Sequence, residues 1–126
     1  MIKNIKNVLL IAVMGFTAAW TAVASAGSTY VTVKIETIAI IGTAPAVITG
    51  HKAGNMELKI KDGFSPSGVN CSHDYLTTLK TVDPDREMLS LLRDAHNSDR
   101  EVTLGITDDS KYTAYSGRCS VLTVTF

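Results

Sequence analysis

Nowhere in its 126 residues does the chain carry a G-x-S-x-G elbow, an H-E-x-x-H pair, a C-x-x-C pair or a phosphate-binding glycine loop. Hydrolase, zinc-protease, thiol-redox and nucleotide chemistries therefore lose their usual carriers, and the reading is of a protein that is not an enzyme. Basic blocks are also lacking, since the 12 Lys and Arg are dispersed and balanced by 12 Asp and Glu. Counterion release needs clustered cations, so nucleic acid is excluded as a partner. With only two cysteines and three histidines, the chain lacks two spaced ligand pairs for a structural metal. No cofactor or metal is expected. Repeats, low-complexity tracts and linkers are absent too, which leaves one small domain.

One long apolar run is present. Lys3 and Lys6 precede Val8 to Ala24, and the run ends in Ala24-Ser25-Ala26. A basic start, an apolar core and small-x-small before a polar region describe a secretory signal peptide over residues 1–26. The competing reading is a membrane anchor, but Thr17, Trp20, Thr21 and Ser25 dilute the run. Cleavage near Ala26 leaves residues 27–126 as the mature domain, with no membrane span, secreted or periplasmic. Losing Lys3 and Lys6 leaves it slightly acidic.

In an exported chain, Cys71 and Cys119 read as one disulfide. Its loop closure contributes about 4 kcal/mol in the chain-entropy model, a large share for so small a domain. A metal site of Cys71, His73 and Asp74 is the weaker alternative.

Period-two alternation predicts strands. Tyr30 to Ile41 points Val31, Val33 and Ile35 one way and Thr32, Lys34 and Glu36 the other, with both faces apolar from Ile38. Gly42 to Pro45 breaks it, and Ala46–Thr49 is a continuation after a bend. Met56 to Lys61 buries Met56, Leu58 and Ile60. Cys71 to Lys80 reads as a third strand with Tyr75, Thr77 and Leu79 on one face. Glu101 to Thr107 turns Val102, Leu104 and Ile106 inward, and Cys119 to Phe126 puts Leu122, Val124 and Phe126 together.

Between the third and fourth strands lies the one helix. Asp83 serves as N-cap, Pro84 as first helical residue, and Asp85 and Glu87 favour the positive end of the dipole. Capping explains Asp83 and Asp85 better than paired catalytic carboxylates do. Met88, Leu91, Leu92 and Ala95 form the apolar stripe, and Asn97-Ser98-Asp99 ends it. His96 suits the negative end of the dipole. Leu89, Arg86, Arg93 and Asp94 lie off the stripe, available to a neighbouring subunit or to solvent.

A mainly β chain of five strands, with one helix between strands three and four, has the order of the OB-fold, a Greek-key barrel whose helix plugs one end. An immunoglobulin-like or pilin-like sandwich would need about seven short strands. In that barrel strands three and five are parallel neighbours, which would bring the starts of the Cys71 and Cys119 strands within disulfide reach.

Met88-Leu-Ser-Leu-Leu-Arg-Asp-Ala95, Glu101-Val-Thr-Leu-Gly-Ile106 and Cys119-Ser-Val-Leu-Thr-Val-Thr-Phe126, with the leader and the cysteine placement, resemble the B subunits of bacterial AB-type toxins of the pertussis-like and subtilase-like group. The resemblance implies a homopentameric ring that binds host-surface glycans, sialylated ones among them, and carries an enzymatic A subunit. On the barrel wall it directs attention to Thr32, Lys34 and Glu36. The residues themselves point to the loop Lys111 to Arg118, where Tyr112 and Tyr115 offer flat faces for stacking and Ser110, Lys111 and Ser116 offer hydrogen bonds. OB-folds bind ligands through this loop and the one holding His51, Lys52 and Asn55. Asp108 and Asp109 read as a solvated turn, with a calcium site as the lesser alternative. Alternative functions are a fimbrial or pilus subunit completed by a donated strand, and a periplasmic inhibitor or binding protein.

Overall fold

A computed structural model of the chain describes residues 26–43, 51–71, 74–114 and 117–126. The proposed leader, apart from Ala26, and the Ala46–Thr49 continuation lie outside them. Among the described residues six strands and one helix follow one another: β1 Ser28–Val33, β2 Ile35–Ile40, β3 Met56–Ile60, β4 Tyr75–Thr78, α1 Glu87–Asn97, β5 Val102–Thr107 and β6 Ser120–Thr125. All six strands share one sheet, in the order β1-β5-β6-β4-β3-β2. Among the described residues no helix is long and apolar enough to cross a membrane.

The expected first strand is two, which corrects the count from five to six. Lys34 alone separates β1 from β2, yet the two occupy opposite ends of the sheet order. β1 pairs with β5, while β2 pairs with β3. The chain therefore leaves one neighbour and joins another at Lys34, and the sheet's two edges meet there. Just beyond, the β2–β3 register shifts by one residue between Ile35 and Thr37. Before the bulge Val31, Val33 and Ile35 lie on the core side; beyond it Ala39 and Ile40 are exposed to solvent, against the expectation that both faces close over after Ile38.

Strict alternation holds where it is unambiguous. Met56, Leu58 and Ile60 of β3 and Val102, Leu104 and Ile106 of β5 are at most 1% exposed. β4 is shorter than expected, and Leu76, Thr77 and Thr78 are its buried residues. Tyr75 lies only partly buried, its ring under the Arg118 guanidinium at 4.9 Å. In β6 a second shift, between Gly105 and Ile106 of its partner, places Leu122 as the extra residue. Val121 is thereby buried, Val124 packs on the core, and Phe126 is half exposed beside Arg100. Leu122, Val124 and Phe126 do not share a face.

The helix comes from the expected residues with a later start and a rotated stripe. Asp83 to Arg86 close a turn, with the Arg86 N–H donating to the Asp83 carbonyl at 3.2 Å. Arg86, at φ 60°, is the N-cap residue, so Pro84 and Asp85 precede the helix and Glu87 opens it. Asp83 still satisfies the orphan donors, because its carboxylate accepts the N–H groups of Met88 at 3.1 Å and Leu89 at 3.0 Å. Leu89, Leu92 and Ala95 face the core, Met88 packs at its edge, and Leu91 is 37% exposed. Leu89 is thus withdrawn from any subunit contact. Arg86 is committed within the chain, donating to the Gly54 carbonyl at 2.7 Å. Asp83→Ala should lower stability by about 1–2 kcal/mol, since it orphans two N–H groups at a buried position. A urea melt with Asp83→Asn, which retains an acceptor, alongside would check it; equal losses from both would refute the capping role.

Cys71 and Cys119 form the disulfide, with Cα atoms 5.3 Å apart. β4 and β6 run parallel from that bridge, meeting at Thr77 and Ser120. The bridge takes the Cys71 sulfur out of the alternative metal site, whose His73 lies outside the described residues.

Candidate functional site

The candidate residues separate into two regions. Loop 108–114 leaves β5 where Thr107 pairs with Ser28. Thr32, Lys34 and Glu36 run the other way along the first strands, so at about 3.3 Å per residue Lys34 lies about 20 Å from the loop's root. No hydrogen bond or ion pair of the described residues joins the groups. Tyr115 and Ser116 fall outside the described residues.

In the loop, Asp109 organises a turn: its carboxylate accepts the Lys111 N–H at 3.0 Å, and its carbonyl accepts that of Tyr112 at 2.9 Å. The Lys111 ammonium sits 5.4 Å from the centre of the Tyr112 ring. Asp108 accepts N–H groups from Asn70 at 2.8 Å and Gly27 at 2.6 Å. Those two bonds, Asn70's the larger influence, hold its carboxyl below the ordinary carboxylate range. Both acids thus serve backbone donors. Among the described residues no group of three His, Cys, Asp or Glu could hold a metal ion.

The second loop meets the first at Ala114. His51, Lys52 and Asn55 line a small pocket with Ala114, Met56, Glu57 and Thr77. Its volume, about 10 Å³, admits nothing larger than about one water molecule. Beside it the Glu57 carboxylate lies 3.3 Å from His51 Nε2 and pairs with the Arg118 guanidinium. The three side chains are only 10–15% exposed. Alternation in β3 would turn Glu57 outward, and nothing local pairs it with Arg118, since 61 positions separate them. Such a tight, shielded charge cluster fastens the two loops together more readily than it accepts a ligand.

Among the first-strand candidates, Thr32 Oγ1 lies 3.0 Å from Thr103 Oγ1 across β1 and β5. Lys34 pairs with Asp99 at 3.3 Å, and Glu36 with Lys59 at 2.8 Å. The Lys34 hydrogen bond and charge, with Lys61 behind them, lower the Asp99 carboxyl from its ordinary value. Glu36 correspondingly raises Lys59. Lys34 is therefore engaged with the turn after the helix, and Glu36 in an exposed pair across β2 and β3.

A residue not singled out from the sequence offers more. Tyr30 is 72% exposed on the outer face of β1, directly opposite Gly105 of β5. A Cβ at Gly105 would collide with Thr123 Oγ1 and sit 3.2 Å from Tyr30 Cε1, so the ring lies across a floor that only glycine leaves low enough. Ser28, Thr29, Tyr30, Gly105, Leu122 and Thr123 bound a shallow groove of about 180 Å³. Thr32 and Thr103 continue the hydroxyl-bearing face beyond it. The groove combines an open aromatic face with hydroxyl donors and acceptors and no charge on its lining. The Leu122 bulge creates part of it, by turning that side chain out of the core. Comparison with protein-family models, curated proteins and solved structures finds no match for this chain.

Proposed function

We propose that the chain is an exported, non-enzymatic carbohydrate-binding subunit, the B subunit of an AB-type toxin, built on an OB-fold barrel and assembled as a homopentamer. Support for the barrel comes from the sheet order. If β1 and β2 are counted as one strand bent at Lys34, five strands close on themselves. The helix then falls between the third and fourth, and the third and fifth run parallel. α1 packs against β2 and β6, as a plug between strands would.

The observation that carries the binding reading is the Tyr30–Gly105 groove. A sugar ring has an apolar C–H face and a rim of hydroxyls. Tyr30 offers the complementary flat surface, while Ser28, Thr29 and Thr123 offer hydrogen-bond groups. The groove is smaller than the roughly 300–1,000 Å³ of drug-sized ligand pockets, and suits one terminal sugar. Weak single sites of this kind become effective when repeated around a ring, because avidity multiplies them by about 10²–10⁴. The ring itself would deliver the enzymatic A subunit.

A glycan array on the mature oligomer tests this, paired with its mass by light scattering. A mass of five chains and selective glycan binding are expected, with Tyr30→Ala reducing binding at least about tenfold while the melting temperature holds. Gly105→Ala should weaken binding too, by lifting the ring from its floor. Binding lost with Tyr112→Ala but kept with Tyr30→Ala would move the site to loop 108–114. A monomer without glycan binding would end the reading.

A further inference from the structure

Gly27 is gripped on every side. Its N–H donates to Asp108 Oδ1 at 2.6 Å. Its carbonyl accepts the Thr107 hydroxyl at 2.8 Å and the Asp108 N–H at 3.2 Å. The second Asp108 oxygen accepts the Asn70 N–H at 2.8 Å. No side chain fits here, because a Cβ on Gly27 would collide with the Gly68 carbonyl oxygen. Residues 68–70 and 107–108 thus form a cradle for one backbone unit. Ala26, one position earlier, is exposed to solvent.

Gly27 is also the residue that follows Ala24-Ser25-Ala26. Hydrolysis of the Ala26–Gly27 peptide by a leader peptidase adds water across the bond. Hydroxide goes to the Ala26 carbonyl, which leaves as a carboxylate, and the Gly27 nitrogen departs as an amine that takes up a proton. The atom already lying against Asp108 would then carry a full positive charge. We propose that the Asp108 carboxylate is a built receptor for the α-ammonium group created by cleavage after Ala26, so that processing converts an amide hydrogen bond into an ion pair.

Chemistry and position agree. The amide N–H already makes a charge-assisted bond to the carboxylate, and an ammonium in its place adds the Coulombic attraction of opposite unit charges. Capture of a terminal amine by buried or oriented acceptors is an established recognition mode. The Asp108 carboxyl is already favoured in its ionised form by two N–H donors. Asp108 is also the first residue after β5, so the pair would anchor the root of the loop bearing Lys111 and Tyr112. The inference rests on the export reading, and on no ligand.

The test uses the exported full-length product. Intact mass and N-terminal sequencing should place its first residue at Gly27. With glycine labelled by ¹⁵N, the α-amine can then be titrated by NMR. A free α-amine titrates near 7.7–8.0; the Gly27 amine should hold its proton roughly tenfold more tightly, a midpoint about one unit higher. Asp108→Asn, which retains an oxygen acceptor for folding, should return it to the ordinary value. Asp109→Asn should not, since that carboxylate serves Lys111. A chain beginning at Gly27 with an ordinary amine, indifferent to Asp108→Asn, would overturn the proposal and leave the export reading intact. A retained leader, or a start at another residue, would overturn the export reading and the proposal with it.

Discussion

Breaking the Cys71–Cys119 bridge should lower the melting temperature by about 20 °C, the largest single effect expected in this protein. The bridge closes a loop spanning 48 positions. In the chain-entropy model that restricts the unfolded state by about 4 kcal/mol. A domain of this size has only about 5–15 kcal/mol in all, and each kcal/mol moves its melting temperature by about 4–8 °C. The folded state adds a second reason. Cys119 is fully buried beside Ser120 and Val121, where β6 begins and meets β4. The bridge holds two parallel strands that share a single register pair, Thr77 with Ser120, so it replaces a ladder that is scarcely there. Calorimetry of the oxidised protein and of a Cys71→Ala/Cys119→Ala double variant measures the loss. A shift of only a few degrees would mean that packing, and not the covalent link, holds β4 against β6.

Leu92→Ala should cost about 3–4 kcal/mol, whereas Leu91→Ala, its neighbour in sequence, should cost less than about 1 kcal/mol. Leu92 is fully buried at the centre of the helix face that meets the core, and Leu91 is 37% exposed. Truncating a buried leucine loses the transfer free energy of the missing carbons and leaves a cavity that rigid neighbours fill only in part. Here those neighbours are strand residues held by the sheet ladders, which restricts collapse. Both substitutions raise helix propensity equally, so the difference between them isolates packing. Chemical denaturation of the two variants decides it. Similar losses would place Leu91 against the core and restore the stripe expected from the sequence.

That stripe shows why some features were legible and others were not. Met88, Leu89, Leu91 and Leu92 are all apolar, so two stripes rotated relative to each other fit the sequence equally well. Only the surface the helix lies on selects Leu89, Leu92 and Ala95. β3 and β5 were readable because charged or small polar residues separate their apolar ones, and a slip would bury Lys59 or expose Leu104. β6 was misread for the opposite reason. Val121 and Leu122 are adjacent and both apolar, and the one-residue bulge at Leu122 decides which of them enters the core. The candidate groove shares this origin, since it needs Leu122 turned outward and Tyr30 laid over Gly105, 75 positions away in the chain.

Local chemistry alone determined the order of elements from β3 onward, the helix with Asp83 serving its first turn, the core faces of β3 and β5, and the pairing of the only two cysteines. Each of these follows from residues within a turn or a strand of one another, or from there being no other partner. The tertiary structure decided the rest. It split the first strand at Lys34 between two neighbours. It engaged Lys34 with Asp99 and Glu36 with Lys59 in ion pairs, joined Glu57 to Arg118, and brought Gly27 to Asp108. Those outcomes depend on single-residue register offsets and on contacts between distant segments. Alternation along one strand states which side is apolar, and contains nothing about which strand will lie beside it.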